Sequence, residues 1–146
     1  LFRSQRTRRV RLITGAVIPA FHHPAHLGGD LAMLDNLSHG RLEAGFGRAF
    51  LPKEFEVYGV AMEDSRPRME EAVGVIRRLW TEETVSHQSE HWTFDNVGLT
   101  LRPVQQPHPP IWLAADADPA VKRAARLGDT WAVNPHAALP AIRAPA

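Results

Sequence analysis

The sequence has no cysteine, so disulfides, thiolate metal sites and a cysteine nucleophile are excluded. It has no apolar run approaching the ~18 residues that would cross a bilayer as a helix. Net charge is nearly missing too: 17 Lys and Arg against 16 Asp and Glu leave +1. No global field therefore draws the chain to nucleic acid or to an anionic membrane, and neither is expected as a partner. Internal repeats, low-complexity segments and a dividing linker are lacking as well. What remains is 146 residues, 44% hydrophobic and 23% charged, the proportions of one folded domain rather than of a disordered tail. A cytoplasmic protein is the resulting expectation.

The ends are unusual. The chain starts at Leu1, and Arg143-Ala144-Pro145-Ala146 brings no closing element. Leu1 to Leu12 carries five arginines and no apolar core, which reads as the exposed end of a helix entering a strand, not as a targeting segment. Both ends are expected to be cut.

Between them, apolar patterning alternates strand and helix. Val10 to Ile18 is β-branched and apolar, as a buried parallel strand should be, and Pro19 ends it. Pro24 suits a first helical turn, and Leu27, Leu31, Leu34 and Leu37 follow at helical spacing until Ser38-His39-Gly40. Arg41 to Phe46 reads as a second strand, and Gly47 to Glu63 as a long polar and aromatic connection. Asp64 is placed as the N-cap of a helix whose buried face is Met69, Ala72, Val73, Ile76, Leu79 and Trp80. Val85 to Arg102 reads as an excursion with a short hairpin. Ile111 to Ala115 is a third core strand. Asp118-Pro119 is an N-cap and N1 pair for a helix over Ala120 to Leu127, stopped by Gly128, and Thr130 to Val133 is a fourth strand. This alternation specifies α/β with a parallel sheet. Periodicity leaves two architectures open: a doubly wound sheet binding a nucleotide, or part of a (β/α)8 barrel, which complete needs about 250 residues. The doubly wound reading lacks the GxGxxG fingerprint.

Local motifs discriminate. Thr14-Gly15-Ala16-Val17-Ile18-Pro19, His23-Pro24 and the run from Leu34 through Gly40-Arg41-Leu42-Glu43-Ala44-Gly45-Phe46-Gly47-Arg48 stand in order. Glu54-Phe55 to Gly59, Arg77-Arg78-Leu79-Trp80, Arg102-Pro103-Val104-Gln105 to Ile111-Trp112, and Ala124-Ala125-Arg126-Leu127-Gly128-Asp129 follow. The ordered set, covering nearly the whole chain, resembles the bacterial luciferase-like monooxygenase family. The resemblance implies a (β/α)8 TIM barrel of which residues 1–146 form an incomplete domain, about strands 3 to 6 with an insertion between them. It also implies an oxidoreductase or monooxygenase using reduced FMN or coenzyme F420 for O2 activation or hydride transfer. A small-molecule substrate, a flavin or F420 reductase as partner and a homo-oligomer when full length belong to that implication. The alternative is a non-catalytic remnant or a dimerising half-barrel.

The same resemblance assigns the site. Ala16 and Val17 close the first strand at the end where barrels place their chemistry, and the family pattern puts a non-proline cis peptide there, behind the cofactor ring. Gly45, Gly47 and Arg48 form a cofactor wall: the glycines allow close backbone approach, and Arg48 suits a phosphate or a substrate anion. Ala49 stands where that family often has glycine. Ala114 and Ala115 match its phosphate loop ahead of a helix N-terminus, although Asp116 and Asp118 would repel a phosphate. Glu54 and His23 are assigned to the substrate side. The catalytic acid–base group is not assigned to any residue. His22 and His26, at i and i+4, lack a completing carboxylate, so no metal is expected. The four tryptophans are read as core and interface packing.

Overall fold

The computed structural model describes residues 6–133. Most of the arginine-rich start is therefore seen, from Arg6 on, whereas the expectation about the C-terminal residues 143–146 lies outside the described residues. No helix among the described residues is long and apolar enough to cross a membrane.

The elements are β1 (Leu12–Ile13), α1 (Pro24–Leu37), β2 (Leu42–Phe46), α2 (Pro52–Tyr58), α3 (Ser65–Thr81), β3 (Val85–Gln88), β4 (Thr93–Val97), β5 (Ile111–Ala114), α4 (Asp118–Leu127) and β6 (Thr130–Ala132). The main sheet has four strands in the order β1-β2-β5-β6, all neighbours parallel. The order follows the chain and never reverses, so the described sheet has no switch point of the kind at which doubly wound folds bind nucleotides. Strand and helix instead succeed one another as in a sector of a (β/α)8 barrel. The expected hairpin is β3–β4, antiparallel and separate from the sheet.

Outward residues of β2 and β5 meet α1 and α3. Leu42, Ala44, Phe46, Ile111 and Leu113 are buried with Leu27, Leu31, Val73, Ile76 and Trp80. The helical face expected for α3 is buried throughout: Met69, Ala72, Val73, Ile76, Leu79 and Trp80 are each at most 5% exposed. Trp80 Nε1 donates to the Gly28 carbonyl at 2.9 Å, which satisfies the indole in the core and fixes the contact between α1 and α3.

Several boundaries moved. The strand expected over Val10 to Ile18 is broken into β1 and a single bridge, Val17 to Phe46. The non-proline cis peptide falls at Gly15–Ala16, one bond before the expected pair. Gly47–Glu63 is not all connection, because α2 forms inside it. Its signals were present in the sequence: Pro52 in the first turn and Gly59 just past the end, in the left-handed region at φ 63°. Helix α4 begins one residue early, with Ala117 as N-cap and no side-chain cap. Asp64 does hold the N-cap position of α3, but its side chain makes no capping hydrogen bond.

Candidate active site

At the C-terminal ends of β1, β2, β5 and β6 the sheet opens into a cavity of about 760 Å³, within the range of small-ligand sites. Its position follows from strand periodicity. In β5, Ile111 and Leu113 point into the helical layer, so Trp112 and Ala114 face the other way, and both line the cavity.

The local backbone between β1 and β2 shapes one wall. The ladder breaks after Ile13, and the Thr14 side chain takes it over. Its hydroxyl accepts from Gly45 N–H at 2.8 Å and donates to the Gly45 carbonyl at 2.9 Å. Val17 N–H then bonds the same carbonyl at 2.9 Å, and Gly47 N–H bonds the Val17 carbonyl at 2.9 Å. Gly15 and Ala16 are thereby left outside the pairing and line the cavity. The two glycines of β2 serve different ends. A Cβ on Gly45 would sit 1.9 Å from the Thr14 carbonyl oxygen, so glycine is needed there for the strands to meet. A Cβ on Gly47 would stand 3.2 Å from Ala16 Cβ and 3.9 Å from Ala114 Cβ, inside the cavity floor.

Of the residues assigned from sequence, Ala16, Gly45, Gly47, Arg48, Ala114 and Ala115 share this one cavity. Val17 does not line it; its backbone braces β2 from behind. Glu54 sits in the first turn of α2, a few residues beyond Phe50, which does line the cavity. His23 is the N-cap of α1: its Nδ1 accepts from Ala25 N–H at 3.3 Å, and its ring lies 5.7 Å from that of Phe94 on the hairpin. Burial, and then the charge of His26, hold the His23 pKa below the ordinary imidazole value.

Sequence reasoning missed Thr14, Trp112 and Arg123. Sequence groups Trp112 with the packing tryptophans. Trp80 and Trp92 are indeed buried, and Trp131 Nε1 donates to the Ala115 carbonyl at 2.7 Å, but Trp112 is a cavity wall. Its position two residues before Ala114 on a strand was the available signal. Arg123 follows Ala120, another lining residue, by one helical turn. Among the described residues no group of three or more histidine or acidic side chains is arranged to hold a metal ion.

A floor of Ala16, Gly47, Ala114 and Ala115, from which no long side chain projects, suits a planar ring. A cradle that a Cβ on Gly47 would invade fits such a group. Arg48, on the same rim, suits an oxyanion. Four parallel strands with helices outside and this cavity at their C-terminal ends define a partial (β/α)8 barrel with its site at the usual end.

The chain belongs to the luciferase-like monooxygenase family, whose sequence pattern matches residues 3–145. It is 39% identical over 114 residues to the oxygenase component of the flavin-dependent trigonelline monooxygenase of Acinetobacter baylyi, covering 77% of this chain and 31% of that protein. It is 38% identical over 100 residues to the limonene 1,2-monooxygenase of Rhodococcus erythropolis, covering 68% of this chain and 26% of that protein. Among solved structures, the monooxygenase RslO1 of Streptomyces bottropensis superposes with a TM-score of 0.80 at 51% identity, over 84% of this chain and 38% of that one. The chain thus spans about a third of the length of these relatives.

Proposed function

We propose that the protein is an oxidoreductase that works with a reduced flavin or with F420, and that this chain supplies one wall of its cofactor and substrate site. The observation that carries the reading is the side-chain-free floor around Gly47, ending at Arg48, at the C-terminal mouth of the parallel sheet. Names among the relatives support it. The Acinetobacter relative is a flavin-dependent oxygenase component, and structures sharing the fold include an F420-dependent secondary alcohol dehydrogenase and an FMN-bound Baeyer-Villiger monooxygenase.

When bound, such a cofactor supplies a hydride or activates O2. This chain's own residues do the holding. Ala16, Gly47, Ala114 and Ala115 admit the ring face, with Gly45 setting the strand spacing beneath it, and Val17 keeps that wall in place through its hydrogen bonds to Gly45 and Gly47. Arg48 offers its guanidinium to an anionic group, oriented by the 2.7 Å bond from its Nε to Ser65 Oγ. Phe50 and Trp112 add apolar surface that excludes water. Glu54, in the first turn of α2, is assigned to the substrate side. His23, assigned by the family resemblance to the substrate side, does not line this cavity; its ring caps α1 at Ala25 and packs against Phe94. A small-molecule substrate, a reductase that recharges the cofactor and assembly into a homo-oligomer complete the proposal. The reading of a non-catalytic half-barrel draws no support from a floor kept open at this end of the sheet.

The test is binding of FMN and of F420 to the protein carrying Gly47→Trp, followed by cofactor fluorescence, with circular dichroism to confirm the fold. An indole on the floor is expected to weaken binding of the preferred cofactor at least about tenfold, a loss of ~1.4 kcal/mol. Unchanged affinity in a folded variant rejects the placement. Wild-type protein that binds neither cofactor rejects the function.

A further inference from the structure

The short 3-10 turn Pro19–Phe21 bears on two walls of the cavity. Its N-cap is Ile18, a lining residue whose Cδ1 would stand 3.7 Å from a Cβ on Gly47. The Phe21 and His22 N–H groups close the turn on the Ile18 and Pro19 carbonyls, each at 3.1 Å. Phe21 also stacks on Tyr58, centroids 4.5 Å apart, and meets Phe55 edge-on at 5.2 Å. Those contacts seat α2, which begins two residues after the lining residue Phe50. Whatever holds this turn therefore holds the Ile18 wall and the Phe50 rim together.

One side chain of α3 holds it. Arg68 Nε donates to the Ala20 carbonyl at 3.1 Å, and Ala20 is fully buried. The same guanidinium lies over the Trp92 ring, 4.7 Å from its centroid. Trp92, in the turn between β3 and β4, is buried as well, and a cation over an aromatic face is held more firmly where water is excluded. Stacking on the ring also fixes the plane of the guanidinium, so Nε keeps its aim at one carbonyl. A second anchor stands one helical turn along α3, where Glu71 Oε1 accepts from Ser89 Oγ and pairs with His87 Nε2 at 2.7 Å. The hairpin is separate from the main sheet, yet it connects to the cavity. Trp92 seats Arg68, and Arg68 fixes the turn that Ile18 caps.

We propose that Arg68 is a positioning residue for the cavity wall, and that the hairpin acts on the site through it. Arg68 does not line the cavity. Its bond to Ala20 sets where Ile18 stands and, through Phe21, where α2 stands. This rests on the cofactor reading above and adds to it a control from outside the sheet.

The experiment compares wild-type protein with Arg68→Gln, Arg68→Lys, Trp92→Leu and Val75→Ala. Val75 packs with Leu79 and Val85 at the base of the hairpin, so its variant loosens the same region without touching the Arg68 contacts. The readouts are binding of FMN and of F420, thermal unfolding, and hydrogen exchange at the Phe21 and His22 amides. Arg68→Gln and Trp92→Leu are expected to weaken the preferred cofactor about tenfold, within the range of coupling carried through a structure. Both should speed exchange at those two amides. Arg68→Lys, which keeps a cationic donor, should recover part of each effect. Val75→Ala should lower Tm comparably and leave affinity and the two amides unchanged. Affinity that falls in step with Tm in every variant would reduce Arg68 to a stability role and overturn the proposal. Unchanged affinity in Arg68→Gln overturns it too, while leaving the cofactor reading intact. If wild-type protein binds neither cofactor, the function fails and exchange decides the inference. Selective exposure of Phe21 and His22 in Arg68→Gln then supports the link from hairpin to cavity wall, and uniform or unchanged exchange overturns it.

Discussion

Gly28 and Gly45 show how differently one residue type is used. Gly28 sits inside α1, where a Cβ would meet Ile76 and Leu79 at 3.7 Å, an ordinary packing distance. Its flexibility only weakens the helix, so Gly28→Ala is expected to stabilise the protein by about 0.5–1 kcal/mol. Gly45→Ala would drive a Cβ to within 1.9 Å of the Thr14 carbonyl, backbone that cannot swing aside. It should cost about 3 kcal/mol or more and disturb the cavity wall. Urea unfolding of both variants checks the pair; similar effects from the two would contradict the close approach of β1 to β2. Both residues are glycine in the sequence, and no local pattern separates them. Only the partner strand across the ladder makes Gly45 obligatory.

Among elements, the return from the hairpin to β5 is pinned to α1 by a buried carboxylate, with Asn36 Nδ2 donating to the Arg102 carbonyl at 2.7 Å beside it. Asp35, in α1, is fully buried. Its carboxylate accepts from Val104 N–H at 2.8 Å, Gln105 N–H at 3.0 Å and Gln105 Nε2 at 2.8 Å. The Gln105 amide also donates to the Leu42 carbonyl at 2.7 Å, so the pin joins α1, β2 and the segment that positions β5. Asp35→Ala would leave two backbone N–H groups without their acceptor, and should destabilise by about 3 kcal/mol or more. Hydrogen exchange is expected to show the greatest loss of protection around Val104 and Gln105, and uniform loss would contradict a local pin. Sequence periodicity located α1 and α3 because each buries an apolar face, whereas α4, whose only buried residue is Ala124, was placed by its end signals, Asp118-Pro119 and Gly128. Periodicity missed α2, whose only buried residue is Phe55. A seven-residue helix with one buried side chain gives no period to read, and its end signals, Pro52 and Gly59, were the only trace.

For the whole molecule, near-neutrality makes a distinct claim. With a formal charge of +1, this chain contributes little long-range steering to ligand capture. The salt dependence that this chain gives to cofactor binding must then come from its charges within about 10 Å of the ligand, the screening length at ~0.1 M salt. On the flavin reading proposed above, raising salt from low to about 0.5 M is expected to weaken FMN binding several-fold and to leave riboflavin binding nearly constant, as isothermal titration would show. Equal salt dependence for both flavins would place the positive wall away from the phosphate.

The sequence alone determined the class of fold and the family. Both are written in local order: the alternation of apolar strand and amphipathic helix, and a series of short motifs that keep their sequence wherever the chain goes. The family resemblance also assigned most of the cavity floor, because the small residues at strand ends lie inside its short motifs. The tertiary structure decided what depends on distance between strands and helices. It set which glycine is sterically obligatory, and it moved Trp112 from the core to the cavity wall. It also drew Arg48 and Arg123, 75 residues apart in the chain, to one cavity. Charge repulsion and steric exclusion act through space, so no pattern along the chain could have specified them.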